Sequence, residues 1–153
     1  MIADRVQQAR VRNALEPEWE ARFEPRSYGF RPGRSCHGAI EAIFKAACGR
    51  NARKVWALDA DLTAAFDKID HDHLLAMIGD FPARGMIRQW LKAGVLDEGR
   101  FAPTEEGVPQ GGVISPLLLN VALHGLEEAA GVRYYSTGNY AGQSKPGSPM
   151  LVR

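Results

Sequence analysis

The apolar positions of this chain change period several times, and the changes divide it into elements. Residues 2–15 carry little Gly or Pro and read as a helix. Pro17 suits the first turn of a second, short helix on which Trp19 and Phe23 lie four apart. Ser35 can cap a third, with Ile40, Ile43, Phe44 and Ala47 as its apolar face and Gly49 as its close. Residues 55–62 then alternate with period two. Trp56, Leu58, Ala60 and Leu62 share one face, and Val55, Ala57, Asp59 and Asp61 share the other, which makes this the best strand of the chain. Asp70 caps a helix whose buried side is Leu74, Met77, Ile78 and Phe81. A shorter helix follows in ARGMIRQWLKAG, and VLDEGRFAPTEEGV reads as a hairpin or extended pair. In GVPQGGVISPLLLNVALHGLEE a glycine-rich loop leads to Ser115-Pro116, an N-cap followed by Pro at the first helical position. The helix after it is apolar nearly all round (Leu117, Leu118, Leu119, Val121, Ala122, Leu123, Leu126) and should be buried. From Gly131 the composition is that of a loop, and the closing PMLVR looks like the first residues of a strand.

Composition narrows this picture only a little. The length of 153 residues suits one domain with a real core, and 45% apolar with 24% charged residues is ordinary for a globular protein. A net charge of +1 supplies no global basic field, so any nucleic-acid contact must rest on local clusters. No run reaches the length of a membrane span and the N-terminus has no signal pattern, so no membrane partner and a cytoplasmic location are expected. Cys36 and Cys48 lie twelve apart without metal-type spacing and read as reduced thiols.

Three stretches carry chemistry. In LDADLTAAFD the strand pattern puts Asp59 and Asp61 on one face near a strand end, roughly 6.5–7 Å apart along the backbone. Burying a carboxylate is costly unless a cation or hydrogen bonds compensate, and acids gathered at a strand end suit a hard divalent cation such as Mg2+. Asp67, Asp70 and Asp72 take capping and surface roles. In SYGFRPGRS, Tyr28 and Phe30 alternate with Arg26, Arg31 and Arg34. Guanidinium forks bind phosphate and aromatics stack on bases, but a solvated loop with its aromatics tucked inward has the same composition; both stay open. In GVPQGG, glycine allows close backbone approach and Gln110 offers donor and acceptor, as a plain turn before a helix also would. His37, His71, His73 and His124 form no ligand set, and His71 and His73, in the first turn of a helix, are assigned surface or capping roles.

Taken together and in order, YGFRPGRSCHGAI, LDADLTAAFDKIDHDHLL and GVPQGGVISPLLLNVALHGLE resemble the fingers and palm blocks of group II intron reverse transcriptases, the intron-encoded maturases. The resemblance covers about residues 3–126. It implies an α+β fold, a partial fingers and palm of a right-hand polymerase with helices on one face of a small antiparallel sheet. The chain would form a single partial domain, fingers-like over about 1–54 and palm-like but incomplete over 55–153. By the same resemblance Asp61 is the first catalytic acid and a Mg2+ ligand, and Leu62 lends its backbone carbonyl to one metal. Phe66 is the gate under the incoming sugar. Arg31 and Arg34 meet the triphosphate or template, and Gln110 and Gly111 form the turn against the nucleotide. The role of Asp59 stays open.

The implied reaction is RNA-directed DNA synthesis, with an intron RNA template, a DNA or RNA primer and deoxynucleoside triphosphates as partners. Two Mg2+ ions, roughly 3.5–4 Å apart, would activate the primer oxygen and stabilise pyrophosphate. The family's other two acids lie in a Tyr-Ala-Asp-Asp hairpin, and the chain stops at Arg153, one residue before its expected tyrosine. The expectation is therefore a segment with weak or no Mg2+ binding and no polymerisation of its own. The alternatives are a non-catalytic RNA-binding remnant, the N-terminal half of a split enzyme that pairs with a C-terminal half, or a self-associating product whose helix 117–126 is left uncovered.

Overall fold

The computed structural model describes residues 2–48, 56–97, 100–109 and 111–153. In chain order the elements are α1 (Ile2–Glu20), α2 (Cys36–Ala47), α3 (His71–Ile78), α4 (Arg84–Leu91), β1 (Val95–Asp97), β2 (Arg100–Ala102), α5 (Ser115–Ala122) and α6 (Leu126–Ala129). The fold is mixed but mainly helical. Among the described residues the sheet is limited to the hairpin β1–β2, paired antiparallel with Val95 opposite Ala102 and Asp97 opposite Arg100. The backbone divides into two units, Met1–Arg22 with Asp61–Ala122, and Phe23–Ala60 with Leu123–Arg153.

The expected strand over 55–62 is not formed. Val55 lies outside the described residues, and 56–62 are irregular and exposed on both of the alternating faces. Trp56 is 93% and Leu58 92% exposed. Alternation is only half of a strand; the other half is a neighbouring backbone to complete the ladder, and among the described residues none pairs with this segment.

In the first unit the core is built by helical stripes. Val11, Leu15 and Trp19 of α1, Leu74, Leu75 and Ile78 of α3, and Ile87 and Leu91 of α4 are buried. Of α5, Leu117, Leu118, Leu119, Asn120 and Val121 are all buried; this helix packs on α3 and α1, and α4 packs on α3. A helix apolar nearly all round should be buried, and residues 117–121 of α5 are. It ends at Ala122 rather than running to 126, because a turn at 123–125 ends in Gly125 at φ +92° before α6 begins. Pro17 does not start a second helix either. It lies inside α1, near its end, where the bond to the residue four back is lost while Leu15 and Trp19 keep the last turn buried. Phe23 lies beyond that helix.

The second unit is organised around Glu24. Its carboxylate, 9% exposed, accepts hydrogen bonds from the Gly125 amide at 2.6 Å and from Arg153 Nη2 at 2.8 Å, with His124 Nδ1 3.2 Å away. Arg153 also joins the backbone of 26–28, donating its amide to the Arg26 carbonyl and accepting from the Tyr28 amide. Burial alone would push the Glu24 carboxyl up. The Gly125 amide, its own amide, Arg153 and His124 outweigh that, and the group titrates at about 2. Glu127 is buried and accepts from the Tyr134 hydroxyl; burial first, and this bond second, hold that phenol up at about 12. By contrast α2 has no buried residue. Ile40, Ile43 and Phe44, expected on a core face, are exposed, Ser35 makes no side-chain cap bond, and Gly49 lies outside the described residues.

Two stability measurements follow. The Glu24 carboxyl falls from 4.5 to about 2 on folding, so its contribution is complete above pH 4.5 and is lost as pH drops towards 2. Urea denaturation of the wild-type chain and Glu24→Gln should differ by at most about 3 kcal/mol at pH 7, with the gap closing as pH falls to 2.5. A gap independent of pH would rule out this role. Leu118→Ala, at the centre of α5, should cost about 2–5 kcal/mol in the same assay.

Candidate functional site

The stretch after Asp61 folds into a run of turns over 63–68 and then into α3. Ala64 takes φ +55° and its carbonyl accepts from the Asp67 amide at 2.9 Å. This tight backbone brings three groups onto one edge: the carbonyls of Phe66 and Ile69 and the ring of His71. The segment that opens the glycine-rich loop meets them. The Val108 amide donates to the Phe66 carbonyl at 2.7 Å, and the Gly107 amide to the Ile69 carbonyl at 2.7 Å. His71 Nε2 lies 2.6 Å from the Gly107 carbonyl, and Asp70 pairs with Glu106. Gly107 has φ +85°, and a Cβ there would come within 2.8–2.9 Å of the Asp67 backbone, so both conformation and space require glycine.

Beyond this junction the loop is held from the other side. Ser115 Oγ donates to the Pro109 carbonyl at 2.7 Å, and the Val113 amide donates to Gln8 Oε1 of α1 at 2.9 Å. Arg5 Nη1 reaches the Gly111 carbonyl at 3.3 Å. Gly111 is exposed at φ +78°, and Gln110 lies outside the described residues. Phe66 is half-buried, and its segment is cross-bonded to Gly107 and Val108, at the start of the loop that carries Gly111.

The acids are arranged differently from the sequence expectation. Asp59, Asp61 and Leu62 are exposed on the irregular stretch, so Asp61 carries no burial cost that a cation must relieve. Among the described residues no three His, Cys, Asp or Glu side chains converge as a metal site would require. A Mg2+ pair needs several carboxylates, and Asp61 as placed here does not by itself fit such a group. Asp70 does cap α3, its Oδ1 accepting from the His73 amide at 2.6 Å, and Asp67 and Asp72 are exposed.

In the other unit Arg31 is not an exposed fork. It is 6% exposed, its Nη1 donates to the carbonyls of Glu24 at 2.9 Å and Ser27 at 3.0 Å, and its Cζ lies 5.1 Å from the Phe23 ring centre. It braces the turn that carries Arg34. Arg34 is exposed, with Nη1 on the Pro25 carbonyl at 2.6 Å and Cζ 5.5 Å from the Tyr28 ring centre. Phe30 projects at φ +56° and is exposed.

Two residues of this site were not found from sequence. His71 is 4% exposed, which corrects its surface assignment. The signal was present: His71, Leu74, Leu75 and Ile78 follow the i, i+3, i+4, i+7 stripe, and all four are buried. Gln8 had no such signal, because its bond is to an amide 105 residues away.

The family described as reverse transcriptase (RNA-dependent DNA polymerase) matches residues 1–140. Protein YkfC of Escherichia coli K12 is 41% identical over 141 residues, 88% of this chain and 37% of that protein. The group II intron-encoded protein LtrA of Lactococcus lactis is 40% identical over 131 residues, 83% of this chain and 21% of LtrA. An uncharacterised 91 kDa protein in the cob intron of Schizosaccharomyces pombe is 40% identical over 129 residues, 82% of this chain and 16% of that protein. The chain thus spans between about a sixth and somewhat over a third of these relatives. It belongs to the reverse transcriptase (RNA-dependent DNA polymerase) family, in the branch of the group II intron-encoded maturases.

Proposed function

We propose that these residues supply part of the fingers and palm of a right-hand polymerase that copies an RNA template into DNA. The observation that supports this reading is the cross-bonding of segment 66–71 to Gly107 and Val108, at the start of the glycine-rich loop, in a chain of this family. In the proposed site Phe66 lies under the sugar of the incoming deoxynucleotide, and Gln110 and Gly111 lie against the nucleotide and template. Arg34 meets triphosphate or template phosphates by charge-assisted hydrogen bonds, and Arg31 contributes by bracing the turn that carries it. Asp61 is the acid that this segment contributes to the metal-dependent step, with the Leu62 carbonyl beside it. Mg2+ supplies that step in the family's chemistry, but the described residues do not hold it on their own. The substrates of the proposed reaction are intron RNA, a DNA or RNA primer and deoxynucleoside triphosphates. Among the described residues no helix is long and apolar enough to cross a membrane.

Two assays on the 153-residue chain test this. Anisotropy of a labelled RNA–DNA primer–template should show binding that weakens as salt rises, and Arg34→Ala should weaken it further. Absence of binding at low salt would remove the nucleic-acid reading. Primer extension with Mg2+ and deoxynucleotides should stay at background, because Asp61 lacks converging acids; incorporation above background would show that the catalytic set is already complete in this chain.

A further inference from the structure

We infer that His71 and Gln8 are positioning residues, a two-sided clamp that fixes the exposed Pro109 and Gly111 relative to the Phe66 backbone. The inference rests on the nucleotide-site reading above for its purpose, but not for its geometry. Gly107 is the hinge of the loop: at φ +85° it occupies backbone space that most residues avoid, and glycine pays for that freedom with a large entropy loss on ordering. Something must hold it. Its amide is bound by the Ile69 carbonyl, a bond that leaves the peptide plane on its other side to be fixed separately.

His71 does this. A carbonyl can only accept, so the 2.6 Å contact requires the proton on Nε2. Nδ1 is then the ring's acceptor, and among the described residues it has no hydrogen-bond partner. The ring is buried with Leu74 and Leu75 on the inner stripe of α3, and Asp70 caps that helix, so its direction is set by a helix that begins five residues after Phe66. The three bonds from residues 66, 69 and 71 to residues 107 and 108 therefore act as one unit.

On the far side Gln8 supplies the second hold. Its Oε1 takes the Val113 amide, and a Cβ on Gly112 would lie 3.3 Å from that same oxygen and 2.5 Å from Ser115 Oγ. The loop therefore runs close to α1 at Gly112, where Ser115 Oγ leaves no room for a Cβ. Arg5 on the Gly111 carbonyl adds a third, weaker contact from the same helix. Between the two holds Pro109 and Gly111 are exposed, and holding both sides of a binding loop lowers the ordering cost of ligand binding.

Amide hydrogen exchange and dGTP titration in excess Mg2+, both followed by NMR on the whole chain, test the clamp. A Gln amide nitrogen can reach the position of Nε2, so His71→Gln serves as the conservative variant and His71→Leu as the disruptive one. His71→Leu should speed exchange at Gly107 and Val108 by about tenfold or more, whereas His71→Gln should stay within about threefold of wild type. Gln8→Ala, on the helix surface, should speed exchange at Val113 and leave Gly107 unchanged, which separates the clamp from general unfolding. The wild-type His71 ring should show the Nε2–H tautomer by nitrogen chemical shift. For dGTP, His71→Leu and Gln8→Ala should each weaken binding about tenfold, with His71→Gln close to wild type. Unchanged exchange in His71→Leu overturns the clamp. Faster exchange with unchanged dGTP affinity overturns its positioning role. If the wild-type chain itself does not respond to dGTP, the nucleotide-site reading fails, and the exchange data alone decide the clamp.

Discussion

Both polar groups of Gly107 are taken by residues two apart in sequence, the Ile69 carbonyl and the His71 ring, and the Val108 amide is taken by Phe66. Much of the first unit depends on this junction. It joins two segments nearly forty residues apart without a sheet between them, using turn carbonyls and one buried imidazole. Each such bond adds only about 1 kcal/mol net, but leaving any of these buried groups unpaired would cost more than the bond gains. That asymmetry, more than the strength of any one contact, makes the junction specific. The helical core then closes over it: α3 begins at the junction, α5 begins at the far end of the loop, and the two helices pack on one another.

The second unit solves a different problem with charge. Glu24 is nearly buried and would be a liability alone, yet it gathers the Gly125 amide, Arg153 and His124, and so draws the end of the chain back to residues 24–28. Arg31 works alongside it by binding the carbonyls of Glu24 and Ser27. Guanidinium groups used this way are structural. The same turn leaves Arg34 and Phe30 exposed, so one short basic-aromatic stretch divides into a buried arginine that shapes the loop and exposed side chains at its surface. Composition could not make that division, because a buried and an exposed arginine read alike in a sequence.

What could be read from the chain in advance was local. The Asp70 cap of α3, the all-round apolar character of α5 and the pairing of β1 with β2 are each set by residues within one or two turns, and each is present. Of the expected α3 stripe Leu74 and Ile78 are buried, whereas Met77 and Phe81 are half-buried and His71 and Leu75 take the core positions. The segment 55–62 failed because a strand is defined by its partner, and Trp56 and Leu58 have none among the described residues. The apolar face of α2 failed for the same reason: an amphipathic stripe states which side wants cover without supplying it. Of the site, the family motifs marked Phe66 and the glycine-rich turn, and the structure brings their segments together. His71 and Gln8 were missed because their bonds are long-range, to Gly107 and Val113. Asp61 remains the acid that the motif singles out, on an exposed stretch that gives it no company.

The central claim is that the segment bearing Phe66 and the segment opening the glycine-rich loop are joined backbone to backbone. Scalar couplings across hydrogen bonds, measured by NMR on the folded 153-residue chain, address it directly. The structure predicts a coupling between the Gly107 amide nitrogen and the Ile69 carbonyl carbon, and another between the Val108 amide nitrogen and the Phe66 carbonyl carbon. A well-dispersed spectrum in which α3 and α5 give their own helical couplings but both of these are missing would contradict the account.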